Sequence, residues 1–133
     1  MTLAESSILV VDDEPVLRLT FSVLLRRMGA RVFAAEDGVE ALRIATENHV
    51  DVILTDKQMP NMDGLALLQQ LRERDVTAPA ILFVNGVVPE DSKKLERLGV
   101  KRSVTKPIHP QELILMLEAV LASVAAVPHE RDS

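Results

Sequence analysis

The sequence predicts an α/β protein with one five-stranded parallel sheet and helices covering both of its faces. Two observations carry this. Five short β-rich apolar stretches alternate with five stretches whose apolar residues recur at helical spacing. That alternation implies parallel pairing, with right-handed crossovers sending helices to both sides of a doubly wound sheet. In addition, the stretches 8–11, 52–55 and 80–84 are apolar on both faces, as a doubly covered parallel sheet requires.

The elements follow in order. The first strand, 8–11, is stopped by Asp12, Asp13, Glu14 and Pro15. Leu17, Phe21, Leu24, Leu25 and Met28 then form a helical stripe, and Gly29 follows where a left-handed residue closes a helix. A second strand spans 31–35. Asp37-Gly38 opens the next helix, with Glu40 in capping-box spacing and Val39, Leu42 and Ala45 as the inner face. The third strand spans 50–55. Met59-Pro60 and Asp63-Gly64 mark turns, and a helix over 64–74 points Leu67, Leu68 and Leu71 inward. Pro79 precedes the fourth strand, 80–84, which Asn85-Gly86 ends. A shorter, more polar helix, 89–98, is capped by Gly99, and 100–105 is a weak fifth strand. Pro110 takes a first-turn position of the last helix, whose inner face is Leu113, Ile114, Leu117, Val120, Leu121 and Val124. One domain over 1–133 is expected, with its core at about 7–124 and a flexible tail at 125–133.

Composition narrows the function classes. The chain is 47% apolar and 26% charged, which is globular, and long enough to bury a core without disulfides or metals. Three Phe with no Tyr or Trp leave little to stack on bases, and a net charge of −5 argues against a phosphate-backbone binder. The absence of cysteine excludes thiolate chemistry. The start, MTLAESS, lacks a basic region followed by an apolar one, and no apolar run approaches a membrane span, so cytoplasm is the expected location.

In open parallel sheets, ligands bind outside the carboxyl ends of the strands. Asp12 and Asp13 end the first strand, Asp56 the third, and Lys106 the fifth. If the first and third strands are neighbours, three carboxylates meet there beside a lysine. Crowded carboxylates repel unless a cation neutralises them, and hard oxygen ligands of this kind suit Mg²⁺. An aspartate beside Mg²⁺ can act as a nucleophile toward phosphorus, with lysine as a mobile charge for phosphoryl oxygens. Read singly, Asp12-Asp13 are acids at a helix N-terminus, Asp56 a turn residue and Lys106 a solvated charge. Their joint placement at strand ends argues for a site. His49, His109 and His129 have no metal-ligand spacing, and the chain lacks a P-loop.

"ILVVDDEP", "LTDKQMPNMDG" and "TKPI", in this order, resemble the receiver domain of two-component response regulators, the CheY-like family, over residue 7 to about 124. The resemblance implies a flavodoxin-like sheet of order 2-1-3-4-5. It implies that Asp56 is the phosphoacceptor and that Asp13, Asp56 and the backbone carbonyl of Gln58 ligate Mg²⁺. Asp12 then acts through metal-bound water, and Lys106 pairs with the phosphoryl group. The Lys106–Pro107 bond is expected to be cis.

Two positions depart from the family pattern. Where it places Thr or Ser at the end of the fourth strand stands Val84, followed by Asn85, and its usual aromatic before the lysine is Ser103. Valine has no hydroxyl to offer a phosphoryl oxygen. Either Asn85 supplies its amide instead, or the domain relays its state by another route. Gln58 and Gly86 occupy positions that tune hydrolysis in the family.

The leading expectation is a phosphorelay receiver that takes a phosphoryl group from a histidine kinase, a phosphotransfer protein or a small acyl phosphate. Its only turnover is its own phosphorylation and dephosphorylation, so it is not classed as an enzyme. The alternative is a phosphorylation-independent pseudo-receiver that serves protein interaction. A phosphatase of the haloacid-dehalogenase type is poorly supported, because Gln58 stands where its second acid belongs. Neither nucleic acid nor membrane is expected as a partner of this chain. The polar fourth helix, with Lys93, Lys94, Glu96 and Arg97, is where a downstream protein or a second copy in a homodimer is expected. The short tail and initial Met favour a stand-alone regulator.

Overall fold

A computed structural model describes residues 1–86 and 90–126, with side chains as far as 123. Five strands, β1 (Ser7–Val11), β2 (Arg31–Ala35), β3 (Val52–Asp56), β4 (Ala80–Val84) and β5 (Val100–Thr105), form a single sheet. Its order is β2-β1-β3-β4-β5, and every neighbouring pair is parallel. Five helices alternate with them: α1 (Pro15–Arg27), α2 (Gly38–Glu47), α3 (Gly64–Glu73), α4 (Ser92–Arg97) and α5 (Pro110–Ala126). A short 3₁₀ turn, Leu3–Glu5, precedes β1, and its Leu3 is buried.

The period of two along each strand divides the core into two layers. Leu9, Val11, Ile53, Leu82 and Val84 point to the side covered by α2 and α3. Ile8, Val10, Val52, Leu54, Ile81 and Phe83 point to the side covered by α1 and α5. Leu67, Leu68 and Leu71 of α3 are fully buried, as their spacing predicts. Each such leucine contributes about 1.5–3 kcal/mol relative to an exposed one. With so few aromatics, the ring contact between Phe21 and Phe83, at a 5.6 Å centroid distance, fastens α1 to β4.

Helix starts are set by aspartates. Asp37, Asp63 and Asp91 each accept a hydrogen bond from the backbone N–H three residues on, at 2.8–2.9 Å, worth about 1 kcal/mol per cap. Glu40 reaches back to the N–H of Glu36 at 2.8 Å, one residue earlier than the expected capping box. Gly29 and Gly99 follow the C-caps of α1 and α4 with φ of +95° and +78°. A Cβ on Gly99 would also strike the guanidinium of Arg72. That guanidinium donates from Nε to Leu98 O (2.8 Å) and from Nη1 to Val76 O (2.7 Å). It thereby holds the C-terminal end of α4, a helix with no buried residue of its own.

Several expectations are corrected. Val39 is 54% exposed, because α2 turns Ala41, Ile44 and Ala45 inward, where small side chains let it lie close to α3. Met28 caps α1 and points out, 41% exposed. β3 starts at Val52 and runs on to Asp56: Val50 is buried but precedes the ladder, whose first pair is Ile8 with Val52, and Asp51 bonds Ser7 at the N-terminal end of β1. α4 starts at Ser92, because Asp91 caps it; the expected start at 89 lies outside the described residues. α5 continues to Ala126, two residues into the expected tail, whose remainder (127–133, with His129) lies outside the described residues, as does the side chain of Val124.

Candidate functional site

The sheet order places β1 between β2 and β3, so Asp12 follows one central strand and Asp56 ends its neighbour. Asp12 continues the β1 ladder, its N–H donating to Ala35 O at 3.1 Å. Its Oδ1 accepts from the N–H of Glu14 (2.9 Å), and Arg18 Nη1 donates to its carbonyl (2.8 Å). Asp56 is opposite Phe83 in the parallel register. The chain then leaves β3 in a tight path, with Lys57 N–H donating to Phe83 O (2.9 Å) and Gly64 N–H to Lys57 O (2.8 Å). Gly64 lies so close to the Asp56 carbonyl that a Cβ would collide with it.

Lys106 leaves β5 with its N–H on Val84 O at 2.9 Å, and the Lys106–Pro107 peptide is cis, as the resemblance implies. Its ammonium donates to Asp56 Oδ2 at 2.8 Å and stands 3.5 Å from Asp12 Oδ2. One carboxylate oxygen from each of Asp12, Asp13 and Asp56 lies within 4.8 Å of the others. Asp12 and Asp56 are buried, at 1% and 5% exposure, and Asp13 faces solvent.

Burial pushes the Asp56 carboxyl up to about 6, with help from the charges of Asp12 and Asp13; the Lys106 ammonium pulls against them and loses. For Lys106, burial favours the neutral amine, but the bond to Asp56 and the nearby carboxylates win, holding its pKa above the ordinary lysine value. The lysine is therefore a fixed positive charge aimed at the acceptor. The second oxygen of Asp12 is buried with no hydrogen-bond partner among the described residues. Two buried carboxylates, one of them with an oxygen that lacks a hydrogen bond, and a third at the rim make a donor set of hard oxygens, which fits a small divalent cation.

Gln58, Val84 and Asn85 are brought beside the acceptor: with Asp56, Lys57 and Phe83 they line one small cavity. Val84 is buried and Asn85 is exposed. Gly86 has φ +102°, and among the described residues no atom lies within 4 Å of the place a Cβ would take. Ser103 is not brought into the cavity. On β5 it pairs with Leu82 of β4, and it lines a separate groove with Ser92, Leu95 and Glu96 of α4. His49 pairs with Asp51 (2.8 Å) before β3, at the far end of the sheet, and His109 accepts from Gln111 N–H ahead of α5.

Four residues of the surroundings escaped the sequence reading. Arg18 holds the Asp12 carbonyl, Asn61 donates to Asp37 Oδ2 at 3.2 Å, and Lys57 pairs with Glu90 at 3.3 Å. Asn61 alone carries a local signal, as a turn residue that tolerates its φ of +71°.

Residues 8–118 match the response regulator receiver domain, and the chain belongs to that family. The receiver domain is a signalling module of two-component systems. Over 101 residues the chain is 37% identical to the sensor histidine kinase RcsC of Escherichia coli K12, covering 76% of this chain and 11% of that protein. It is 36% identical to the probable transcriptional regulatory protein TcrX of Mycobacterium tuberculosis, covering 86% of this chain and 49% of TcrX. It thus spans at most about half of these relatives. Among solved structures, the chemotaxis response regulator CheY4 of Vibrio cholerae superposes with a TM-score of 0.79 at 30% identity, over 87% of this chain and 98% of that one. The receiver domain of the sensor histidine kinase PA1611 of Pseudomonas aeruginosa, with magnesium coordinated in its active-site cleft, superposes with a TM-score of 0.77 at 28% identity, over 88% and 98%. No helix among the described residues is long and apolar enough to cross a membrane.

Proposed function

We propose that Asp56 accepts a phosphoryl group from a histidine kinase or phosphotransfer protein, and that its state is passed to a downstream protein. The observation that carries this reading is a buried carboxylate at a strand end, bonded by a lysine at 2.8 Å and flanked by two further aspartates. A carboxylate oxygen of Asp56 forms the new O–P bond as the P–N bond of a phosphohistidine, or the P–O bond of an acyl phosphate, breaks. The electron pair leaves with the imidazole or the carboxylate, and the imidazole takes its proton from solvent. Lys106 supplies a fixed positive charge for the phosphoryl oxygens. Asp13, Asp56 and the Gln58 carbonyl would hold Mg²⁺, with Asp12 reaching it through water; the ion would neutralise the carboxylates and the incoming phosphoryl charge. Hydrolysis of the aspartyl phosphate returns the protein to its starting state, in the cytoplasm where kinases present phosphohistidine.

The test is intact-mass spectrometry after incubation with acetyl phosphate and Mg²⁺, beside an Asp56→Asn control. A phosphate-sized gain that needs Mg²⁺ and vanishes in the control is expected. No gain, under conditions that phosphorylate an ordinary receiver, would favour the second reading, a phosphorylation-independent interaction module. Val84 and the solvent-facing Ser103 favour that reading, because valine has no hydroxyl for the first switch position and serine no aromatic ring for the second.

A further inference from the structure

Lys57 is the residue directly after the acceptor, and its backbone is locked by the bonds to Phe83 and Gly64 described above. Lysine side chains are seldom covered, yet only 19% of this one is exposed, and its ammonium is 3.3 Å from Glu90 Oε1. The Glu90 side chain is equally covered, and that oxygen has no hydrogen-bond partner among the described residues. Its own backbone N–H, the Lys57 ammonium and the charge of Lys94 keep the Glu90 carboxyl below the usual range. Glu90 lies just ahead of α4. α4 rests on the core through the half-buried Leu95 and is held at its far end by Arg72, and among the described residues the Lys57–Glu90 pair ties down the chain just ahead of its near end.

Lys57 also lines the cavity it shares with Asp56, Val84 and Asn85. This is the side on which Val84 leaves a phosphoryl oxygen without a hydroxyl. Resting on the reading of Asp56 as phosphoacceptor, we propose that Lys57 is a second phosphoryl-positioning residue, held in reserve by Glu90. Its ammonium exchanges Glu90 for a phosphoryl oxygen on Asp56, and the exchange frees the lead-in to α4. A phosphoryl group carries roughly two negative charges against the single charge of Glu90, which favours the exchange. Glu90 is not left bare, since Lys94 lines the same groove on the α3 side. The pair thus links acceptor chemistry to the α4 face without the Thr–aromatic relay that this sequence lacks.

The two partners are predicted to act in opposite directions, which an ion pair that only braces the fold would not do. The test takes the full chain and its Lys57→Gln, Lys57→Arg and Glu90→Gln variants, with acetyl phosphate and Mg²⁺. Its readouts are the initial rate of mass gain and the amide NMR shifts of residues 91–98. In Lys57→Gln the rate is expected to fall about tenfold, with Lys57→Arg recovering most of it, since one charge is withdrawn from the transferring group. In Glu90→Gln, where the lysine is already free, the rate is expected to rise about threefold. Its α4 amides should sit near their phosphorylated positions before any donor is added. Equal effects of Lys57→Gln and Glu90→Gln, or an unchanged rate and α4 response in Lys57→Gln while the parent chain gains phosphate, would overturn the proposal. Failure of the parent chain to gain phosphate would overturn the reading of Asp56 beneath it.

Discussion

Replacing Asp56 with Asn should stabilise the metal-free protein at about pH 8 and leave it almost unchanged at about pH 4. The folded protein holds the Asp56 carboxyl up to about 6, against an ordinary 3.8, chiefly because it is buried. The folded state therefore binds a proton more tightly than the unfolded chain, and stability falls as pH rises between these two values, with the loss complete above about 6. A separation of about two pH units corresponds to about 3 kcal/mol. Asn removes that cost, in which the pull of Lys106 is already counted. The net gain at high pH is then about 2–3 kcal/mol, or roughly 10 °C in Tm. With no Trp or Tyr to report, unfolding in urea should be followed by far-ultraviolet circular dichroism in the presence of a chelator. Destabilisation at pH 8, or a gain that does not change with pH, would refute the claim that burial and crowding make the ionised Asp56 costly.

Three further outcomes are expected. Mg²⁺ should raise the Tm of the parent chain more at pH 8 than at pH 5, because it competes with protons for the same oxygens; Asp13→Asn should largely remove the effect, as thermal scans would show. Gly64→Ala should cost about 2–4 kcal/mol in urea unfolding and slow phosphorylation by acetyl phosphate, because the new Cβ meets the Asp56 carbonyl and moves the acceptor. Restoring a hydroxyl and an aromatic with Val84→Thr and Ser103→Tyr should enlarge the phosphorylation-dependent amide shifts along β4 and β5; shifts of unchanged size would show that the missing pair does not limit the response.

Much of the site was legible because it depends on where strands stop. Apolar runs that end on Asp12 and Asp56 deliver those carboxylates to a rim, and the order of short motifs brought in Lys106 and its cis bond to Pro107. What escaped depends on distant segments meeting. Nothing near Arg72 in the chain points to the Leu98 carbonyl, and nothing near Lys57 points to Glu90. The phase of α2 differs from the expected one for a related reason: Val39 and Ala41 are both compatible with an apolar stripe, and only packing against α3 selects the alanines.

The sequence by itself determined the alternation of strands and helices, the apolar runs that must be covered on both faces and the residue types at the strand ends. These follow from local periodicity, turn chemistry and the reach of a few residues. The tertiary structure decided the rest: Lys106 bonds Asp56 while staying farther from Asp12, Asp12 keeps one buried oxygen without a hydrogen bond among the described residues, and Ser103 faces a groove away from the acceptor cavity. Those outcomes depend on sheet order, register and burial, which balance many weak contacts across the chain and leave no mark at any one position.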